Sequence, residues 1–451
     1  MELAIFGGKP LFDSARHRKW PIVTEDDRRA VMRVLERGVL SGSDAPEARA
    51  LQEEFAQAHG ARHALLTHSG TSALQLSLAA LGIGEGDEVI VPAYSFVATP
   101  LSVLLQGAVP IFVDVSPESG LMDPHAIEAV ISPRTKAIMP VHVHGCPCDL
   151  EEIQAIAKRH GLLLIEDAAQ AHLATYRGRF VGTFGHGGAF SLQSSKNLSA
   201  GEGGIYLTND SDALERANQV RNFGQDIRRS DGEHYRIERP LDGHRSLLSL
   251  GIGSMYRGNE MMAAFARSQL RRLPDLTNGV RSKAARLSEA LKALPGVFPP
   301  ALPKDRSPVF HKYRVRLDPQ LAGLDLSHRE LRDAVIAALR AEGCEVVLWQ
   351  SEPLPHHPLF QKMVGFGKGF PFFQKDASQS DGERIQENYR ANYPGVRSLL
   401  DGSIVLFSQS CPLIAQDDEV VELYIQAFYK VWEQRHRLVD LVKKGGAPQE
   451  Q

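Results

Sequence analysis

One lysine stands out in the stretch GGAFSLQSSKNLSAGEGG at residues 187–204: Lys196 lies between a short apolar run and a glycine-rich turn. About thirty residues upstream, LLLIEDAAQAH reads as a buried strand that delivers Asp167 at its carboxyl end. A lysine amine must be neutral to attack a carbonyl, and burial or nearby positive charge favours that form. The glycines of SAGEGG let backbone come close to a ligand. These features suit pyridoxal 5′-phosphate (PLP). Lys196 would form a Schiff base with it, and Asp167 would keep the pyridine nitrogen protonated so that the ring absorbs carbanion electrons. Acidic residues at strand ends also cap turns, so neither residue decides the matter alone.

A phosphate needs its own cradle. Ser69-Gly70-Thr71-Ser72 follows a strand and opens a helix, where free N–H groups and the positive end of the helix dipole converge. Gly70, Thr71 and Ser72 are the candidates there, although ordinary capping by Ser or Thr explains the same residues equally well. Ser191, five residues before Lys196, offers a further hydroxyl, and Phe96, beyond another strand, could stack on a flat ring. Two other patterns carry less. Gly82-x-Gly84-x-Gly86 follows a helix and precedes a strand, the wrong order for a dinucleotide loop. HVHGCPC at 142–148 matches no zinc spacing.

The elements that position these residues alternate. HALLTHS, EVIVPA, VPIFVDV, KAIMPVHVH and LLLIEDAA read as strands separated by helical stretches, each strand a near-continuous apolar run. That pattern predicts an α/β fold with a mainly parallel sheet covered on both faces, and ligands beyond the carboxyl ends of its strands. Asp123-Pro124 is expected to start one helix, and Asp149 with Glu152 to form a capping box for another that stops at Gly161. A helical region from about 259 to 294 is expected to break at Pro274. The large domain is set at 20–294, and a smaller α+β domain at 295–440 is expected to be joined by segment 1–19. Residues 441–451 read as a disordered tail. The stretches 225–246 and 361–385 read as loops, and Arg228 and Arg229 in the first would suit an anionic group on a substrate.

Composition sets limits. The 451 residues carry a net charge of −3, which argues against nucleic acid as a partner. No run is long enough for a membrane span, MELAIFGGKPLF lacks the features of a signal peptide, and four cysteines are too few for a disulfide framework. The expected location is the cytoplasm.

Taken together, SGTSAL, GDEVIVPAYSFVAT, VPIFVDV, IEDAAQAH, FSLQSSKNLSAGEGG and MYRGNEMMAAFARSQL resemble the DegT/StrS family of PLP-dependent sugar and cyclitol aminotransferases, over roughly residues 5 to 435. The resemblance implies fold type I, the aspartate-aminotransferase-like fold, and a homodimer with shared active sites. It makes Lys196 the Schiff-base lysine and Asp167 the partner of the ring nitrogen. Gln170 would lie near the ring, Phe96 would stack on it, and Gly70, Thr71 and Ser191 would hold the phosphate. Asn259 would reach the neighbouring subunit's cofactor phosphate. The implied reaction moves an amino group from glutamate or glutamine to a small-molecule ketone or aldehyde. Related sugar 3-dehydratases carry histidine where this chain has Lys196, which disfavours them here. MYRGNE departs from the NYRM-like segment of the family, and the sequence leans toward the aminocyclitol and natural-product branch. Two rival readings keep the fold: a PLP-dependent dehydratase or aromatising synthase, and a non-catalytic regulatory protein.

Overall fold

A computed structural model describes residues 2–42, 45–225, 228–230, 234–236, 248–301, 303–372 and 378–443. Its centre is a seven-stranded sheet in the order His63–Thr67, Gly204–Thr208, Gly187–Ser191, Leu163–Asp167, Thr135–Ile138, Glu88–Pro92 and Val109–Val113. Gly204–Thr208 runs against both its neighbours, and the other strands share one direction. The expected α/β architecture follows from the apolar runs. Val89, Ile90 and Val91, like Ile111, Phe112 and Val113, are buried along their whole length, so helices must cover both faces. The carboxyl ends of the parallel strands therefore open on one edge, where the chain passes through Ser69, Phe96, Asp167 and Ser191.

The buried apolar side chains form two large clusters. The first surrounds the central sheet. The second joins Leu3, Phe12 and Trp20 of the N-terminal segment to a four-stranded antiparallel sheet and to the helices His328–Ala341 and Asp418–Glu433. One helix, Glu260–Lys292, serves both: Ala263, Ala266, Leu270 and Leu273 pack in the first cluster, and Val280, Ala284, Leu287 and Leu291 in the second. This corrects the expected break at Pro274. Proline removes one hydrogen bond and crowds the preceding turn, but apolar residues anchor the helix on either side of it, and packing outweighs the local cost.

Three other expectations change. Asp149 makes no capping bond, and its Oδ1 instead accepts from Nη2 of Arg306 at 2.5 Å, although the helix Leu150–His160 does end at a left-handed Gly161. Asp123 accepts from the N–H of His125 but opens two 3-10 turns, Pro124–Ala126 and Glu128–Val130, rather than an α-helix. The expected loop 361–385 is a run of turns over 363–372, with Phe366 exposed and Phe372 buried, but helices occupy both of its ends. Residues 361–362 finish the helix Pro358–Lys362, and the helix Gln379–Arg390 begins at its other end. Phe360, Phe372 and Tyr389 join Phe112 in the first cluster. Asn388 meets the edge strand as a further strand would: its Oδ1 accepts from Phe112 N–H at 2.9 Å and its Nδ2 donates to Phe112 C=O at 2.8 Å. Within 225–246, Arg228–Ser230 and His234–Arg236 pair as a short antiparallel ladder, while the side chains of Arg228 and Arg229 lie outside the described residues. Residues 441–443 end the helix Arg437–Lys443, and the rest of the proposed tail also falls outside them. Among the described residues no helix is long and apolar enough to cross a membrane.

Candidate active site

Asp167 ends the strand Leu163–Asp167, and the alternation of that strand sends it and Glu166 to opposite faces. Glu166 is buried and accepts from the N–H groups of Gly182 at 2.7 Å, Phe184 at 2.6 Å and Gly185 at 2.8 Å, and contacts His142 Nε2 at 3.1 Å. These bonds fix the strand end. His142 is thereby a structural link, since its Nδ1 also accepts from Cys148 N–H at 3.1 Å. On the other face, Asp167 Oδ2 accepts from Thr99 Oγ1 at 2.7 Å and its Oδ1 from Ala169 N–H at 3.1 Å. Burial pushes its carboxyl above the usual range, and these two bonds and the charge of Lys196 pull it back.

Lys196 follows the strand Gly187–Ser191 on a turn. Its N–H donates to Gln193 C=O at 2.9 Å, and its own C=O accepts from the Trp20 indole at 2.9 Å, so the N-terminal segment pins the turn. Burial lowers the amine from 10.5 to about 8, and Asp167 limits the fall. Lysine and aspartate thus line one cavity of about 280 Å³.

The same cavity reaches the helix Gly70–Ala80. Ser69 Oγ accepts from Ser72 N–H at 3.1 Å, and Ser72 Oγ accepts from Ser69 N–H at 3.1 Å, which is a capping box. Ser72 is therefore buried in the cap and does not line the cavity, unlike Gly70, Thr71 and Ser191. The capping reading of SGTS applies to the two serines, while the N–H groups of Gly70 and Thr71 between them stay outside the capping bonds. Close approach forces glycine at 70, because a Cβ there would stand 2.8 Å from Ser191 Cβ. At 204 a Cβ would stand 2.2 Å from Ser69 C=O. The cradle suits an anion.

Phe96 is 56% exposed at the cavity wall. Gln170 also belongs to the lining, its Oε1 accepting from His144 N–H at 2.8 Å. His144 also contacts Tyr94 OH at 2.9 Å through Nε2 and packs its ring 4.7 Å from that of Trp349. Asn259 does not join this cavity. It caps the long helix by accepting from Met262 N–H at 2.9 Å, and lines a separate cleft with His68, Arg257 and Glu202, of which Glu202 also reaches the first cavity. Sequence reasoning missed Thr99, Trp20, Trp349, His311 and Lys312. His311 and Lys312 lead into a strand whose only visible signal was alternation, and nothing local marks Trp349.

An enzyme that holds PLP along the carboxyl edge of a mainly parallel sheet is of fold type I, and this geometry is of that class. The chain belongs to the DegT/DnrJ/EryC1/StrS aminotransferase family, whose family model matches residues 21–372. It is 32% identical to protein MosB of Rhizobium meliloti, covering 94% of this chain and 79% of the relative. It is 37% identical to an L-glutamine:2-deoxy-scyllo-inosose aminotransferase of Streptomyces kanamyceticus, covering 79% of this chain and 82% of the relative. An aminotransferase structure from Psychrobacter cryohalolentis superposes with a TM-score of 0.77 at 29% identity, covering 93% of this chain and all of the other, 100%. The protein is accordingly a PLP-dependent aminotransferase.

Proposed function

We propose that this aminotransferase moves the amino group of glutamine or glutamate to a ring ketone of a cyclitol or a related sugar, in two half-reactions at the Lys196 cavity. The observation that carries the reading is the cavity itself: a lysine lowered to about 8 by burial, a carboxylate held by Thr99, and an anion cradle at Gly70, all within one lining. Similarity to the scyllo-inosose aminotransferase supports the acceptor class.

When bound, PLP supplies a carbonyl that captures the donor amine and a ring that withdraws electrons from the α-carbon. Asp167 would hold a proton on the ring nitrogen. The N–H groups of Gly70 and Thr71 and the hydroxyls of Thr71 and Ser191 would bind the phosphate. Lys196 Nζ takes the proton from the donor α-carbon, and in the second half-reaction delivers a proton to the carbon that was the acceptor's carbonyl carbon. Phe96 and Gln170, both in the lining, would flank the ring.

The same reading makes the protein a homodimer. Leu248, Leu250 and Ile252, the last 97% exposed, lead directly toward Arg257 and Asn259 and would be covered by a second copy, with Asn259 reaching that copy's phosphate. Four unpaired cysteines accord with the cytoplasm.

The test is a pair of single-turnover reactions with purified protein. Glutamine should convert the visible spectrum of the bound cofactor, and a keto-cyclitol should restore it and appear as the amine. A spectrum indifferent to both donors refutes the reading. Acceptor turnover that is the same with and without donor would favour the dehydratase or aromatising alternative.

A further inference from the structure

The strand Tyr313–Leu317 places Tyr313, Val315 and Leu317 in the second core cluster, so Arg314, and Lys312 just before the strand, lie on its other face. Lys312 and Arg314 are each only 7% exposed. No carboxylate pairs with Lys312 among the described residues; its amine falls to about 8 through burial and the charge of Lys196. Arg314 Nη2 donates to the backbone C=O of Glu118 at 2.5 Å, while its Nη1 is buried without a partner. The acidic neighbours are otherwise engaged or outside: Asp149 pairs with Arg306 at 2.5 Å, and Glu118 is exposed with its carboxylate accepting from Ser116 Oγ at 3.0 Å.

Two buried cations without a counter-charge are costly, and proteins rarely keep them unless a ligand supplies the anion. Both line a second cavity of about 190 Å³ that meets the Lys196 cavity at Lys312, which belongs to both linings. Aromatic and aliphatic groups, among them Phe310 and Val143, make up much of the rest. The opening is therefore shaped for a ligand whose anionic end lies in the second cavity while its reacting end stays beside Lys196.

We propose that Lys312 and Arg314 form a carboxylate-binding subsite, which holds the acid group of a substrate during amino transfer. The subsite rests on the aminotransferase reading for its role, but its existence is a matter of anion binding alone. Two substrates could bring the carboxylate, the amino donor or an acidic acceptor, and the same variants separate them.

The experiment titrates the PLP-loaded enzyme with glutarate by calorimetry, with glutaramide as the uncharged control. Lys312→Gln and Arg314→Gln should each weaken glutarate by about 10- to 100-fold, the loss expected for one charge-assisted hydrogen bond. Arg314→Lys, which keeps the charge if the glutamine variant misfolds, should recover part of it. Glutaramide should bind none of these proteins better than another. In the half-reactions, a KM rise for glutamine with kcat kept would identify the donor as the source. A rise confined to the acceptor would identify the acceptor. Either supports the subsite. Glutarate affinity that is the same in the wild type, Lys312→Gln and Arg314→Gln, or no better than that of glutaramide, overturns it; if Arg314→Gln misfolds, unchanged affinity in Lys312→Gln alone does so. If the wild type accepts no amino group from either donor, the aminotransferase reading fails, and the glutarate titration still decides the subsite.

Discussion

Replacing Lys196 with methionine should stabilise the cofactor-free protein while abolishing its chemistry. The amine sits at about 8 instead of 10.5 in the folded chain, because burial removes water from its charge. Folding must therefore strip a proton or bury a cation at any pH below that range. A fall of this size corresponds to roughly 3 kcal/mol at ~1.36 kcal/mol per pH unit. The amine still reaches water through the cavity mouth, and screening reduces the expected gain to about 1–2 kcal/mol. The sign follows from proton counts. Between pH 8 and 10.5 the unfolded lysine holds a proton that the folded one has released, so wild-type stability rises with pH across that window. Lys196→Met lacks this dependence. Thermal unfolding of both cofactor-free proteins from pH 7 to 10.5 should give a higher midpoint for the variant near neutrality, with the gap closing as pH rises. A variant less stable at pH 7, or a gap independent of pH, would refute the assignment of Lys196 as a buried, destabilised amine. Relief of Lys312, which lowers to about 8 partly through Lys196, should appear as non-additivity in the Lys196→Met, Lys312→Met double variant.

Three other substitutions test the supporting structure. Thr99→Val removes the 2.7 Å bond to Asp167, so the carboxyl rises further above its usual range. The donor half-reaction should slow by about 10- to 100-fold and its acid limb should move to higher pH, with Thr99→Ser restoring both in stopped-flow absorbance. Gly70→Ala sets a methyl 2.8 Å from Ser191 Cβ, and PLP affinity measured by equilibrium dialysis should fall by about 1–3 kcal/mol as the cradle is forced apart. Asn388→Ala deletes both bonds to Phe112; chemical denaturation should register a loss of about 1–3 kcal/mol, and light scattering should detect association through the uncovered edge strand.

What could be read from the sequence was whatever depends on neighbours a few residues away. Apolar runs gave the strands, and strand ends gave Asp167, Ser191 and the SGTS helix start, because a parallel sheet places all its carboxyl ends on one edge. What escaped depends on partners far along the chain. Asp149 looked like a helix cap because Glu152 lies three residues on, yet Arg306, which is distant in sequence, offers a charged bond that a local cap cannot match. Pro274 looked like a break because the two core clusters that grip the helix on either side of it cannot be read from a local window. Residues 361–385 looked like a loop because glycines and phenylalanines have no clear period; 363–372 are indeed turns, but nothing local shows that Phe372 packs against Phe360 and Tyr389, the two rings that meet Phe112 at the sheet edge. Lys312 and Arg314 show the same rule at the active site. Their spacing of two was visible, but alternation alone cannot say whether a strand's second face meets solvent or a cavity. Only the cavity beside Lys196 turns that alternation into a pair of buried cations, and hence into a demand for an anion.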